Sequence, residues 1–288
     1  MQLETPEASS RPRPFRQVDV FTAEPYFGNP LAVVLDSESL NESQMARFTR
    51  WMNLSETTFL LPPTTPEADY RVRIFTPQRE LPFAGHPTLG SCHAWLEAGG
   101  QPKRSDSVIQ ECKTGLIQIR RDGRQLAFAG PPLVRSGPVD ADTLARIVRG
   151  LGVRESEVLH HGWVDNGPGW LAVMLPSAEQ VLSLEPDHSA LKGLALGVIG
   201  SYPPGSECLF EVRAFVSSLG VPEDPVTGSL NAGLGQWLVD AGLAPHRYVA
   251  SQGTVLGRAG RVHIMRDEDG QIWVGGESVT CVEGMVAL

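Results

Sequence analysis

Three stretches of this chain carry side chains able to move a proton. Glu56 stands in "MNLSETTFLLP", His86 in "FAGHPTLG" and Asp224 in "EDPVTGSL". A glutamate that is partly withdrawn from water has a raised pKa, so both its charge states are reachable near neutral pH. Such a group can take a proton from carbon and return it. The "VTGS" turn adds something different. Thr227, Gly228 and Ser229 offer backbone amides with little steric obstruction, and Ser229 adds a hydroxyl. Amides at the start of a helix attract carboxylates and phosphates. The "FAGH" turn, with Gly85 and His86, takes the corresponding place earlier in the chain.

Each of these residues also has an ordinary reading. His86 could cap its helix or satisfy a buried amide. Asp224 could be a turn residue before Pro225, and Ser229 suits the first turn of any helix. Glu56, at the start of an apolar strand, is either solvated there or buried for a purpose.

The elements that must position these groups repeat along the chain. "LAVVL" at Leu31–Leu35 meets "LAVML" at Leu171–Leu175, a shift of 171 − 31 = 140. "VRIF" at Val72–Phe75 meets "VRAF" at Val212–Phe215 by the same shift, and later matches drift by a few residues, as loop insertions would cause. Each half reads as strands, then a Gly-rich turn, then a helix without a polar face: "PTLGSCHAWLEAGG" in the first and "GSLNAGLGQWLVDAGL" in the second. A helix apolar all round is a buried one. The pattern predicts an α+β protein of two pseudo-symmetric units, each a curved, barrel-like sheet around a central apolar helix. A further helix is predicted at Glu42–Met52, capped by Asn41, with Met45, Phe48 and Met52 on one face. Residues 1–16 read as a flexible polar tail because Pro12 and Pro14 discourage regular structure. The first unit then spans 17–131 and the second 132–288, with the last strands free to return to the first. If the two units face each other, the two turns form one site with two contributors. They contribute different groups: position 56 + 140 is Leu196, and no acid in "PFAG" answers Asp224. That asymmetry suits a site specialised for one reaction.

Composition narrows the classes. The chain has 288 residues, 41% hydrophobic and 20% charged, with a net charge of −9. An acidic surface argues against non-specific nucleic-acid binding. No apolar run is long enough to span a bilayer, and the N-terminus has no apolar core of a signal peptide. Cys92, Cys112, Cys208 and Cys281 are far apart and form neither a disulfide framework nor a zinc signature, so a cytoplasmic setting is expected. His160 and His161 are adjacent, a poor arrangement for two ligands to one metal.

These stretches, with "VDVFTAEPYFGNPLAVVLD", "RIFTPQRELPFAGHPTLGS" and "SQGTVLGRAGRVHI", resemble the PhzF family of phenazine-biosynthesis-like proteins, related in fold to diaminopimelate epimerase. The similarity runs over nearly the whole chain. It implies a homodimer whose active site lies in the cleft between two similar domains. It also implies cofactor-independent isomerisation of a compound such as trans-2,3-dihydro-3-hydroxyanthranilate. By the same resemblance Glu56 is the proton-transferring residue, and His86, Asp224 and Ser229 complete the catalytic and binding set. Asn29 and the amide of Gly228 contact a small anionic substrate, with Gly85 and Thr227 beside them. The racemase relatives use two cysteines, whereas the corresponding turns here carry Ala84 or Gly85 and Asp224. A non-catalytic binding protein that kept the pocket is the alternative reading.

Overall fold

The computed structural model describes residues 11–216 and 222–288. The first half runs β1 (Pro12–Val20), β2 (Asn29–Val34), α1 (Glu42–Met52), β3 (Thr57–Leu61), β4 (Tyr70–Phe75), β5 (Glu80–Leu81), α2 (Gly85–Glu97), β6 (Ser107–Cys112), β7 (Gly115–Asp122) and β8 (Gln125–Ala129). After β9 (Arg135–Gly137) and α3 (Ala141–Leu151), the second half follows as β10 (His160–Asp165), β11 (Trp170–Leu175), α4 (Ala178–Leu182), β12 (Ala195–Ser201), β13 (Phe210–Phe215), β14 (Glu223–Asp224), α5 (Gly228–Asp240), β15 (Arg247–Gln252), β16 (Gly260–Arg266), β17 (Ile272–Gly276) and β18 (Ser278–Ala287).

The repeat in the sequence is a repeat of ladders. β2 and β3 are parallel, β3 and β4 antiparallel, β4 and β6 parallel. β11 and β12, β12 and β13, and β13 and β15 follow the same order of orientations. Leu31–Val34 and Leu171–Met174 therefore fall on equivalent strands, β2 and β11. The halves join edge to edge where β8 pairs antiparallel with β17. β18 then returns to pair with β1, as β9 pairs with β10. The fold is mixed α+β and sheet-dominated.

α2 and α5 are each 13 residues long, and most of their side chains are buried. Neither has a wet face, so packing on all sides rather than an amphipathic stripe holds them. Small residues allow that packing: a Cβ on Gly233 would lie 2.2 Å from the carbonyl oxygen of Val164 on β10. α1 behaves as its spacing predicts. Asn41 and Gln44 form a capping box, and Met45 and Phe48 are buried in a cluster with Phe15, Phe59 and Phe75.

The tail expected over residues 1–16 does not hold for its last residues, because β1 begins at Pro12; residues 1–10 lie outside the described residues. Arg11 exchanges both backbone hydrogen bonds with Leu288. The alternation of the ladder then turns the nitrogens of Pro12 and Pro14 away from β18, to the side where β2 pairs only from Phe15 onward. The prolines thus sit where no donor is required. Arg13 and Arg16 are buried in this segment. Arg13 donates to the carbonyls of Leu288 and Asp36, and Arg16 pairs with Glu97 and Glu283.

Candidate active site

The ends of α2 and α5 meet where the two halves join, at Gly85 and Gly228. Around that meeting point lie Asn29, the first residue of β2; Glu56, just before β3; His86, the second residue of α2; and Asp224, in β14. Asn29, Glu56 and His86 come from the first half, Asp224 and Thr227 from the second.

Asn29 ties the halves together. Its Nδ2 donates to the Val226 carbonyl at 2.9 Å and to Asp224 Oδ1 at 3.2 Å, and it lies 3.4 Å from His86 Nδ1. Asp224 Oδ2 accepts from the Thr227 hydroxyl at 2.6 Å. His86 Nε2 and Glu56 Oε2 are 3.3 Å apart without hydrogen-bond alignment. Both atoms are buried and without a hydrogen-bonding partner among the described residues, as is Asn29 Oδ1. Unpaired buried polar atoms are costly and cluster where a ligand is awaited.

The electrostatics follow from burial. The Glu56 side chain is 16% exposed and that of His86 7%. Burial, reinforced by the nearby Asp224 charge, pushes Glu56 up to about 8. Burial pushes Asp224 up to about 6, against hydrogen bonds from Thr227 and Asn29 that stabilise its charged form. Burial lowers His86 to about 3, so its ring is neutral. At neutral pH the resting site therefore holds a protonated Glu56, an ionised Asp224 and a neutral imidazole. Two carboxyl groups with separated pKa values and a neutral imidazole can exchange protons with a bound molecule.

The backbone amides of Gly228 and Ser229 make no hydrogen bond to other described residues. Thr227 occupies the N-cap of α5, yet its side chain does not cap the helix. Ser229 turns to the far side: its Oγ accepts from the Trp170 indole at 2.9 Å, and its carbonyl accepts from Asn166 Nδ2 at 2.8 Å. It has no direct bond to Asp224 among the described residues.

Sequence reasoning missed several members. Asp19 stands between Val18 and Val20 in β1. It is buried, and its Oδ2 accepts from the Gly28 amide at 2.8 Å, fixing the loop that delivers Asn29. Val18, Asp19 and Val20 are all buried, so both faces of β1 are covered there and alternation does not mark a wet one. Gln252 and Asn231, both fully buried, brace Thr227. Trp170 and Asn166 brace Ser229. Only their position beside the quoted motifs could have signalled them. Cys92 is buried inside α2 with its thiol pushed up by burial, and no thiol contacts Glu56 or Asp224 among the described residues.

The phenazine biosynthesis-like family model matches residues 18–284. Antisense-enhancing sequence 1 of Schizosaccharomyces pombe is 35% identical over 94% of this chain and 97% of its own length. The trans-2,3-dihydro-3-hydroxyanthranilate isomerase of Pseudomonas chlororaphis is 33% identical over 94% of this chain and 98% of its own. A crystal structure of a PhzF family protein from Enterococcus faecalis superposes with a TM-score of 0.80 at 26% identity, covering 96% of this chain and 100% of that one. Relatives in this group are named isomerases. With the repeated fold, the buried carboxyl groups at its junction and these matches together, the chain belongs to the PhzF family of phenazine biosynthesis-like, isomerase-type proteins.

Proposed function

We propose that the protein moves a proton between carbons of a small cyclic carboxylic acid, similar to trans-2,3-dihydro-3-hydroxyanthranilate, with Glu56 as the proton carrier. The observation that carries this reading is the pairing of two buried carboxyl groups of different pKa, Glu56 and Asp224, around the neutral ring of His86. In its ionised form Glu56 takes a proton from one ring carbon. The C–H pair enters the ring's π system, and the carboxyl returns the proton to a second carbon on the same face. No electron is gained or lost, so the step balances with the chain's own groups and calls for no cofactor. Asp224 and His86 hold the substrate's amino or hydroxyl groups. The amides of Gly228 and Ser229 receive its carboxylate, and their unspent donors support that role. A homodimer in the cytoplasm belongs to the same proposal, and sedimentation at micromolar concentration tests the oligomer.

The direct test is proton NMR of the protein with trans-2,3-dihydro-3-hydroxyanthranilate and a panel of cyclic amino and hydroxy acids in D₂O. At least one compound should isomerise or exchange a carbon-bound hydrogen, and Glu56→Gln should slow it by roughly 10²- to 10⁴-fold. If no compound reacts although one binds, the binding-protein reading takes over.

A further inference from the structure

Threonine is a good N-cap residue because its hydroxyl ordinarily accepts from the first turn of its helix. Thr227 is the N-cap of α5 and forgoes that bond. The reason lies in Gln252, at the end of β15 and fully buried. Its Oε1 faces two groups that can only donate: the Thr227 amide at 3.0 Å, and Asn231 Nδ2 at 2.8 Å, which itself donates to the Thr227 carbonyl at 2.9 Å. That fixes which end of the Gln252 amide is oxygen. Its Nε2 therefore donates to Thr227 Oγ1 at 2.9 Å and to the Asp224 carbonyl at 3.2 Å. With its oxygen accepting from Gln252, the Thr227 hydroxyl directs its proton at Asp224 Oδ2, 2.6 Å away.

We propose that Gln252 and Thr227 form a positioning relay that commits the Thr227 hydroxyl to donating to Asp224, holds Asp224 as a charged acceptor, and leaves the first amides of α5 free for a ligand. As a statement about catalysis it rests on the isomerase reading above. As a statement about Asp224 it does not.

The relay works against its surroundings. Asp224 is partly buried, with the carboxyl group of Glu56 across the junction and Glu223 as its chain neighbour. Glu223 is compensated by Arg213 at 2.7 Å, and His86, reached through Asn29, is neutral. The donors that favour the charged form are Thr227 and Asn29. Hydrogen bonds to an ionised group are the strong ones, so losing one should be visible as a pKa change of about a unit or more.

The experiment is a ¹³C-carboxyl NMR titration of the substrate-free protein, with the Asp224 signal assigned by its loss in Asp224→Asn. Thr227→Val keeps the shape and removes the hydroxyl. It should raise the Asp224 pKa by about one unit or more, and Thr227→Ser, which keeps the hydroxyl, should restore it. Gln252→Met should shift Asp224 in the same direction by less, because the freed hydroxyl can then turn elsewhere. An Asp224 titration unmoved in Thr227→Val, or still shifted in Thr227→Ser, overturns the relay. A normal titration in a folded Gln252→Met removes Gln252 from it. If Gln252→Met does not fold, the Val and Ser variants decide. Because no substrate is used, a protein that isomerises nothing still tests the relay. An active protein with an unmoved titration overturns the relay alone. With a reactive compound in hand, Thr227→Val should lower kcat more than it raises KM.

Discussion

Gly85 and Gly228 meet backbone to backbone where the two halves join: a methyl group on Gly228 would lie 3.2 Å from the Gly85 Cα and 3.3 Å from the His86 nitrogen. Both neighbours are main chain at the start of α2, so neither can swing away as a side chain would. Gly228→Ala is expected to force the helix ends apart and to cost about 1–3 kcal/mol of stability, as overpacking does. Activity should fall further than stability, because the displaced atoms carry His86. Urea denaturation beside deuterium exchange into a reactive compound checks both. An alanine variant with wild-type stability and rate would show that the contact is not tight in solution.

Glu56→Gln preserves size and removes the base. Turnover should fall by roughly 10²- to 10⁴-fold with little change in substrate binding. The comparison is steady-state kinetics against calorimetric binding of the same compound. A glutamine variant that turns over near the wild-type rate would falsify the role given to Glu56.

The same substitution should stabilise the resting protein at high pH. The folded pKa of Glu56 lies near 8, above the ordinary value of 4.5. Between those values the folded state binds the proton more tightly than the unfolded chain does. The stability this proton contributes is full below pH 4.5 and is lost as pH rises through 8. Glutamine cannot ionise, so it avoids that loss. Its advantage over wild type should be near zero at pH 4.5 and grow to a few kcal/mol by pH 8.5, on the order expected for a shift of this size. Chemical denaturation at the two pH values gives the sign directly, and an advantage that shrinks with rising pH would contradict it.

Two ion pairs occupy equivalent positions in the halves. Arg73 on β4 reaches Glu80 at 2.7 Å, and Arg213 on β13 reaches Glu223 at 2.7 Å. The first pair is 26% and 15% exposed, the second 5% and 6%. Removing one partner of a buried pair strands the other charge, costing about 3–5 kcal/mol, and a partly exposed pair loses less because water can solvate the charge left behind. Arg213→Met should therefore destabilise more than Arg73→Met. It should also impair activity, because Glu223 precedes Asp224 in the same short strand. Equal losses from the two variants would mean the burial difference has no energetic weight.

How much of this was legible follows from what each signal measures. The duplication was readable because Leu31–Leu35 and Leu171–Leu175 are buried and keep similar apolar runs, "LAVVL" and "LAVML". The apolar helices were readable because burial on all sides excludes charge from every face. Glu56, His86 and Asp224 stood out only as unusual types beside turns, and nothing local decided between a solvated Glu56 and a buried one. Its burial depends on α2, which carries His86, and on the opposite half, which carries Asp224, arriving beside it. Gln252 was invisible for a related reason. A buried polar residue is specified by partners that are distant in sequence, here Thr227 for Gln252, 25 residues away. The strand at Pro12 was hidden because its mate, β18, lies at the other end of the chain.

The last expectation joins the two carboxyl groups. Burial sets most of the Glu56 shift, and the Asp224 charge adds to it. A base with a pKa near 8 is mostly protonated at pH 7, so kcat/KM should rise with pH and level off above about 8. Asp224→Asn removes the neighbouring charge while leaving Glu56 buried. Ionising Glu56 then becomes easier, and the rising limb should move to lower pH although the absolute rate drops, because Asp224 also orients the substrate. The two effects separate cleanly: the rate reports orientation, and the position of the limb reports charge. If the limb in Asp224→Asn stays at the wild-type pH, the two carboxyl groups are not coupled. If it moves upward, Asp224 was stabilising the Glu56 charge rather than opposing it, and the sign of the coupling is overturned.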